Sequence, residues 1–302
     1  MGVNLFKIKK WSSMLLGKSI LHVNQNLGTQ YRVGEVSGYF NNMVEKVTKN
    51  EETLKNRSLP KMFDDNGREV VFPVCIFQYG LGAYDLYLQT KEEIYLEQFW
   101  KCAEWACEYQ TQEGAWSMAE YVPPDAPYGA MCQGEGTSVL LRAYKQSGNK
   151  EYLDRATKAI DFMLLPIEQG GTSLYSENET VLMEFTNRPC VYNGWVFAIF
   201  GLYELVLTSR KKIYEDVLNS TLTTLKNKMP LWDCGYWSLY NEAGAIASPF
   251  YHDLHIAQLE ALDLTFPNYG FGELKDKFVG YRNNWLYKKI AFGQKAIQKI
   301  ME

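Results

Sequence analysis

The sequence predicts an all-α fold, an α/α toroid (an incomplete α/α barrel) of helical hairpins that follows a small irregular or β-hairpin N-terminal segment. Two observations predict it. Apolar residues recur at intervals of three and four over successive long tracts of the chain. Between these tracts, glycine-rich turns with a nearby aromatic residue recur after every second predicted helix, as is typical of stacked helical hairpins.

Residues 1–66 are expected to form an N-terminal extension, and residues 67–302 the toroid. Within the extension, Gly28–Tyr39 combines glycine with β-favouring residues and predicts a short hairpin. Met43–Leu54 has weak helical spacing, and the Asp-Asp-Asn-Gly run at 64–67 predicts a turn.

From residue 73 onward, the spacing of apolar residues predicts a series of long helices. A break is expected near Gly280, inside the last tract. The predicted helices are Pro73–Leu88, Glu92–Tyr109, Gly134–Gln146, Lys150–Leu165, Tyr192–Leu207, Lys212–Lys228, His252–Leu264 and Phe271–Met301.

The turns between helix pairs share a recurring form. Gln112–Trp116 follows one helix, Gln169–Gly171 follows another, and Cys234–Trp237 lies further along the chain. Glycine as a helix terminator explains each glycine by itself, but neither the aromatic residues nor the spacing. In a toroid, the loops at one end line a shared depression, and we expect the functional residues there.

Composition narrows the class of function. The chain carries a formal net charge of −4, which argues against a general nucleic-acid binder because phosphate contacts need clustered Lys and Arg. Aromatic residues make up 15% of the chain, which suits an aromatic core and also a groove that stacks sugar rings. The apolar stretches are too short for a membrane span, and residues 1–20 do not have the pattern of a secretion signal.

The cysteines all have hydrophobic or aromatic neighbours in the sequence, and no CxxC pair occurs. We therefore expect buried free thiols in a reducing compartment, and hence a cytoplasmic protein. The cysteines are Cys75, Cys102, Cys107, Cys132, Cys190 and Cys234.

Three loop clusters gather polar and titratable residues beside the turns, at residues 121–136, 183–194 and 231–258. In the first cluster, prolines fix an extended approach and a helix is expected to begin near Gln133, with free N–H groups that suit a carboxylate. No nucleophile elbow and no P-loop occurs, so the sequence supports neither serine-hydrolase chemistry nor P-loop nucleotide binding.

The third cluster contains His252 and His255, whose spacing can place both imidazoles on one helical face, as in a metal site. The glutamate of an H-E-x-x-H motif and a third ligand are both missing, so we expect no metal. We expect His255 to pack and hydrogen-bond at the start of a helix, with His252 or Tyr251 facing the groove.

A groove rich in Tyr, with one carboxylate, one Arg and two imidazoles, fits proton transfer better than nucleophilic attack. In a uronic acid, a base can remove the hydrogen on C5, next to the carboxylate, if the developing negative charge is neutralised. Return of a proton to the opposite face inverts C5, whereas loss of the C4 substituent is a lyase reaction. Glu184 is the natural base if burial raises its pKa, because Tyr, with a pKa of about 10, is the better acid. Direct proton exchange needs no cofactor.

Five collinear segments resemble the D-glucuronyl C5-epimerases of the heparan sulfate/heparosan type. Pro73–Leu81 is similar to their P-[IV]-x-I-x-Q-Y-G-L segment, and Tyr128–Gly136 is similar to their Y-x-A-M-x-Q-G-Q segment. The run from Glu184 to Gly194 resembles their E-Y-P…P…LNG segment. Asp233–Tyr240 and Tyr251–Leu259 resemble their YD-x-G-x-x-x-x-Y and Y-H-x-x-H-I-x-Q-L segments.

The resemblance implies a helical α/α-barrel domain that acts on a uronic acid glycan. It also implies that Glu184, Tyr240 and Tyr251 occupy the positions of the family's acid–base groups. The residues that we expect to contact the sugar are Gln78, Tyr79, Tyr128, Gln133, Arg188, Asn193, Trp237, His252 and His255.

Three departures from the family pattern affect the expected site. The Tyr that follows the family's glutamate is Phe185 here, and the Arg three residues after Tyr240 is Ala243. Arg188 is the expected substitute for the lost cation because it lies close to Glu184 in the sequence. The β domain that the animal enzymes insert before the Y-x-A-M segment is also absent, so a shorter or differently decorated uronic acid glycan fits as well as a long sulfated one.

The expected function is therefore a uronate C5-epimerase that acts in the cytoplasm on glucuronic acid residues of a polysaccharide or oligosaccharide. A polysaccharide lyase shares the first chemical step and stays open. A glycan-binding protein that has lost the chemistry also stays open, because of Phe185 and Ala243. We expect no membrane span and no nucleic-acid partner, and a homodimer is one assembly that the sequence leaves open.

Overall fold

The computed structural model describes residue 19 and residues 22–301, which are mostly α-helical with two small two-stranded sheets. In the N-terminal part, helices α1 (Val44–Thr48) and α2 (Glu51–Lys55) are short. Strands β1 (Met62–Phe63) and β2 (Glu69–Val70) then pair antiparallel around the predicted turn at 64–67.

Long helices make up the rest of the chain, together with one further hairpin. The helices are α3 (Pro73–Thr90), α4 (Glu93–Tyr109), α5 (Ala130–Ser147), α6 (Lys150–Leu164), α7 (Tyr192–Ser209), α8 (Lys212–Lys228), α9 (Pro249–Thr265), α10 (Gly272–Asn283) and α11 (Trp285–Met301). Strands β3 (Ser173–Ser176) and β4 (Glu179–Leu182) form a hairpin between α6 and α7, which the sequence analysis did not predict.

The long helices pair as the hairpins α3–α4, α5–α6, α7–α8 and α9–α10. Within this array, α5 contacts both α3 and α7, and α7 also contacts α9. These four inner helices are buried along most of their length, whereas α4, α6 and α8 bury a narrower face. The arrangement confirms the predicted α/α toroid.

Two glycines and one ion pair fix α5 against α7. A Cβ atom added at Gly134 would lie 2.7 Å from the Cα of Ala198, and one added at Gly201 would lie 2.4 Å from the carbonyl oxygen of Gly134. The helix axes can approach this closely because glycine has no side chain. Further along the same contact, buried Arg142 donates to Glu204 through Nη1 (2.9 Å) and Nη2 (2.8 Å).

The Trp residues of the recurring turns are buried, and each indole N–H donates to a backbone carbonyl. Trp116 donates from Nε1 to the carbonyl of Ala106 (2.8 Å), and Trp237 donates from Nε1 to that of Ala247 (3.1 Å). The backbone N–H of Trp116 also donates to the side chain of Gln133 in α5 (3.0 Å). In these two turns, the Trp therefore ties the turn to the neighbouring chain, which gives a physical reason for its recurrence.

Several predicted boundaries are corrected at the ends of elements. Helix α5 begins at Ala130 rather than near Gln133, and the Ala130 N–H donates to the Met183 carbonyl (2.8 Å) instead of facing a ligand. The last helical tract breaks at Asn284, not at Gly280. The Asn284 Oδ1 accepts from the backbone N–H groups that begin α11, at distances of 3.0 and 3.3 Å, and so caps that helix.

The predicted hairpin at Gly28–Tyr39 is wrong in form. This segment consists of turns and bends, and an isolated antiparallel bridge between Leu27 and Asn41 closes it. Its aromatic residues join the core, where the ring of Phe40 stacks on that of Phe200 at 3.7 Å. The extension therefore packs on the inner helices through large apolar side chains.

None of the six cysteines, all of which lie in the described part of the chain, forms a disulfide, as predicted. Cys102, Cys132 and Cys190 are buried, whereas the other three are partly exposed. Within residues 22–301, no helix is long and apolar enough to cross a membrane. The expectation about a secretion signal concerns residues that lie, residue 19 apart, outside the described part of the chain.

Candidate active site

Glu184 lies where the β3–β4 hairpin meets the first turns of α5 and α7. The Met183 N–H donates to the Thr172 carbonyl (2.9 Å), and the Met183 carbonyl accepts from the first N–H of α5 (2.8 Å). A Cβ atom at Gly129 would lie 2.0 Å from the Glu184 carbonyl oxygen, and one at Gly194 would lie 2.2 Å from its Oε2. Two glycines therefore make the space that Glu184 occupies.

The Glu184 side chain is 9% exposed, and its Oε2 has no hydrogen-bond partner within the described part of the chain. Burial raises the pKa of this carboxyl to about 8, and the charge of Arg188 opposes that shift. Arg188 itself is exposed, and its guanidinium lies 4.8 Å from the centre of the Phe185 ring. At neutral pH, Glu184 can therefore exchange between its neutral and charged forms.

Tyr240 and Tyr251 lie together beside this carboxyl, with ring centroids 4.7 Å apart. Burial raises the pKa of both phenols, and the charge of Glu184 raises both further. The chain is pinned at both positions, because the Tyr240 carbonyl accepts from the Tyr192 N–H (3.3 Å) and Ser248 Oγ accepts from the Tyr251 N–H (3.4 Å). The structure thus brings together the three predicted acid–base residues, and both phenols keep their protons at neutral pH.

Two further residues belong to this site, and the sequence analysis did not name them as candidates. Tyr121 acts electrostatically on both Tyr240 and Tyr251, so its phenol lies near theirs. Glu135, in α5, is fully buried, and burial, together with a smaller effect of the Glu184 charge, raises its pKa to about 8. A signal for Glu135 was present, because the similar family segment has Gln at this position.

Several of the residues predicted to contact the sugar are buried around the site, where their side chains contact other parts of the protein. Gln78 is buried and donates from Nε2 to Glu135 Oε1 (2.9 Å). Gln133 is buried, and its amide makes its bonds to the backbone of Trp116. Trp237 is buried against the imidazole of His252, with ring centroids 3.6 Å apart. In this structure these three side chains are held by protein partners, and their direct contact with the sugar stays a prediction.

His252 and His255 are both fully buried and are linked by one serine. His252 Nε2 lies 3.1 Å from the Phe278 carbonyl, so this nitrogen carries the proton, and Nδ1 accepts from Ser238 Oγ (2.8 Å). Ser238 Oγ then accepts from His255 Nδ1 (2.9 Å). Burial lowers the pKa of His252 to about 4 and lowers that of His255 as well. Of the predicted pair, Tyr251 and not His252 faces the site.

The other residues predicted to contact the sugar lie in different parts of the fold. Tyr79 is buried, and its hydroxyl lacks a partner within the described part of the chain. Tyr128 is half-buried, with its ring against Phe162 at 4.9 Å. Asn193 is buried, and its backbone carbonyl accepts from Gln258 Nε2 (3.0 Å). Across residue 19 and residues 22–301, no group of three His, Cys, Asp or Glu side chains could hold a metal ion.

The arrangement combines one buried carboxyl that can lose its proton near neutral pH with phenols that retain theirs, which is the equipment for general acid–base catalysis. The fold and the site together define an α/α-toroid protein with a candidate acid–base centre at the first turns of its inner helices. The chain belongs to the D-glucuronyl C5-epimerase C-terminus family, whose model matches residues 103–280, more than half of its length.

One curated relative agrees with the family, and two solved structures agree with the fold. A D-glucuronyl C5-epimerase of Caenorhabditis elegans is 26% identical over 238 residues, which cover 69% of this chain and 37% of that protein. A structure of a Listeria innocua protein has a TM-score of 0.55 at 13% identity, covering 86% of this chain and 78% of that one. An inactive variant of an α-1,6-mannanase from Salegentibacter, in complex with α-1,6-mannotriose, has a TM-score of 0.50 at 17% identity, covering 72% and 64%.

The solved structures are similar in fold, and at these identities they carry no information on the reaction. The chain spans 37% of the length of the curated epimerase that it matches, so that protein includes much that has no counterpart in this alignment.

Proposed function

We propose that this protein is a uronate C5-epimerase, which removes and returns the C5 proton of glucuronic acid residues in a glycan. The observation that carries the proposal is the shared site of Glu184, Tyr240 and Tyr251, in which a carboxyl and two phenols are close enough to act on one another's ionisation. Family membership supports the same chemistry.

In the first step, the ionised Glu184 takes the hydrogen from C5 of the sugar. A general base works best when its pKa is near the working pH, and burial brings the pKa of Glu184 to about 8. The electron pair left on C5 spreads into the adjacent carboxylate, so the charge that develops lies on the carboxylate oxygens.

In the second step, a phenol gives a proton to C5 from the opposite face, and the configuration inverts. Tyr240 and Tyr251 suit this step because burial keeps both protonated, and their contact lets one phenol resupply the other. We assign the donor to this pair, with Tyr121 as a neighbouring phenol. The proton that Glu184 gained then returns to solvent, and the phenolate that remains takes a proton from solvent, which restores the starting state.

The sugar carboxylate requires a group that tolerates its added charge. Ala243 is exposed and offers no such group, and Phe185 has no hydroxyl. Arg188 is a candidate, because its charge already acts on Glu184 and its guanidinium lies over the Phe185 ring. Buried neutral hydrogen-bond donors would supply the rest of the stabilisation that the carboxylate charge requires.

The test is incubation with unsulfated heparosan oligosaccharides in deuterated water, followed by NMR at C5. Incorporation of deuterium at C5 without chain cleavage is the expected result. An unsaturated product that absorbs in the ultraviolet would instead identify a lyase.

Tight oligosaccharide binding without exchange would contradict the proposal and favour a glycan-binding protein, the reading that Phe185 and Ala243 motivate. The matched control is the E184Q variant, which should bind the oligosaccharide and exchange deuterium far more slowly. Cytoplasmic location and a homodimer remain parts of the proposal, to be checked by cell fractionation and by light scattering of the purified protein.

A further inference from the structure

Glu135 is a second buried carboxyl that the proposed reaction leaves unused. It lies in α5, and its Oε1 accepts from Gln78 Nε2 at 2.9 Å. Its Oε2 is buried, and no hydrogen-bond partner for it occurs in residues 22–301. A buried carboxyl oxygen without a partner is costly when it is charged, so the position calls for an explanation.

The backbone contacts bring Glu135 and Glu184 into one region between α5 and α7. Gly134, the neighbour of Glu135, packs against Ala198 in α7. One turn earlier in α7, Gly194 lies under the Glu184 carboxyl. The two glutamates are therefore held at successive turns of the same helix–helix contact, and the Glu184 charge reaches Glu135.

The charged and titratable groups around Glu135 come from four parts of the chain. Lys46 of α1 acts on it with a positive charge, and Glu184 acts with a negative one. Glu135 in turn raises the pKa of the Tyr39 phenol and of the Cys132 thiol. The effect of burial on the pKa of Glu135 is larger than that of any of these charges, so its neutral form persists to about pH 8.

We propose that Glu135 is a positioning residue for Glu184, and that the two carboxyl groups release their protons as a coupled pair, so that one remains neutral while the other is ionised. Two like charges in one buried region repel strongly, and such pairs titrate in two separate steps. When Glu184 is ionised, Glu135 stays a neutral acid. The corresponding Gln in the similar family segment is also neutral, which fits the same requirement.

The pairing itself is tested without substrate, through the pH dependence of thermal unfolding. Unfolding midpoints would be measured from pH 5 to 10 for the wild type, E135Q, E184Q and the double variant. In each single variant, the unfolding midpoint should fall less steeply as the pH rises than it does in the wild type. In E184Q, the remaining step from Glu135 should move to lower pH, because the neighbouring charge is gone.

Asp85 provides a matched control. It is another buried carboxyl in an inner helix, with a pKa of about 7, but its neighbours are Arg142 and Glu204 rather than Glu184. D85N should therefore change the slope of the unfolding midpoint by the same amount in the E184Q background as in the wild type. If the effects of E135Q and E184Q on the pH dependence of the midpoint are strictly additive, as expected for D85N and E184Q, the proposed coupling is wrong.

If E135Q does not fold, titration of the wild-type carboxyl carbons by NMR decides the same question. Two coupled steps from the buried pair support the inference, and two independent curves overturn it.

The catalytic consequence rests on the proposed function. With deuterium exchange as the readout, the wild type should show two ionisations in its pH profile and E135Q only one, whereas superimposable profiles would contradict a positioning role. If none of these proteins exchanges deuterium, the proposed function is wrong. The unfolding midpoints of the wild type, the single variants and the double variant still test whether the two carboxyls are coupled.

Discussion

At the scale of single residues, Glu184 is the group on which the proposed chemistry depends most. E184Q keeps the size of the side chain and removes the base, so C5 deuterium exchange should fall by about 10²–10⁴-fold. Oligosaccharide affinity should change little, because the amide fills the same space. Exchange within a factor of two of the wild-type rate would show that Glu184 is not the base.

The pH dependence of the reaction should follow the same carboxyl. Because the base must be ionised and burial raises the pKa of Glu184 to about 8, the exchange rate should rise with pH through the neutral range. The measurement is the initial exchange rate between pH 5 and 9, with protein integrity checked by circular dichroism at each point. A flat profile over this range would contradict the assignment.

Gly194 tests whether the position of Glu184 matters as well as its chemistry. In G194A, the added Cβ would lie 2.2 Å from Glu184 Oε2, so the carboxyl must move. A displacement of about 1 Å at a reacting group costs about 10²-fold in rate, and we expect exchange to fall by at least that much.

G280A is the matched control for G194A. Gly280 also lies in a helix, but an added Cβ there meets open space. This change should leave exchange unchanged and stabilise the protein by about 0.5–1 kcal/mol, measured by urea unfolding. Equal loss of exchange in both variants would point to a general effect on folding rather than to the carboxyl.

At the scale of elements, the α5–α7 contact holds the site together. Its buried ion pair joins Arg142 to Glu204, and E204Q leaves the Arg142 charge buried without its partner. We expect a loss of about 3–5 kcal/mol in the free energy of unfolding. In the control E151Q, which breaks an exposed pair with Arg155 at 2.9 Å, the loss should be below about 1 kcal/mol. Similar losses in the two variants would mean that removing one partner of the buried pair costs no more stability than removing one partner of an exposed pair.

At the scale of the whole molecule, buried carboxyls set the dependence of stability on pH. Burial raises the pKa of Asp85 to about 7 and the pKa values of Glu135 and Glu184 to about 8. The unfolded chain loses these protons near pH 4, so the stability that they contribute is complete below that pH and is lost as the pH rises to about 8.

His252 and His255 act in the opposite direction, because burial lowers their pKa values and keeps them neutral. Their contribution is complete above pH 6.5 and is lost as the pH falls through the folded pKa. Between pH 6.5 and 8, these carboxyls change their charge and the two imidazoles do not, so the unfolding midpoint should fall steadily over that range. A constant or rising midpoint there would show that the buried carboxyls are already ionised in the folded protein.

The sequence by itself determined the fold class of this protein and predicted the three residues on which the proposed site is built. The apolar spacing of three and four residues is local, and burial of one or more helix faces follows from it directly. The recurring glycine and Trp turns predicted the toroid, and the motifs around Glu184, Tyr240 and Tyr251 placed three groups that the structure brings together.

Only the tertiary structure decided which polar side chains face the site and which support it. Gln78 and Glu135 are 57 residues apart, and their hydrogen bond exists because α3 packs on α5. The Ser238 link between two buried imidazoles likewise depends on the turn that folds over α9. The ionisation of a buried group depends on its whole surroundings, and those surroundings come from distant parts of the chain that no local pattern brings together.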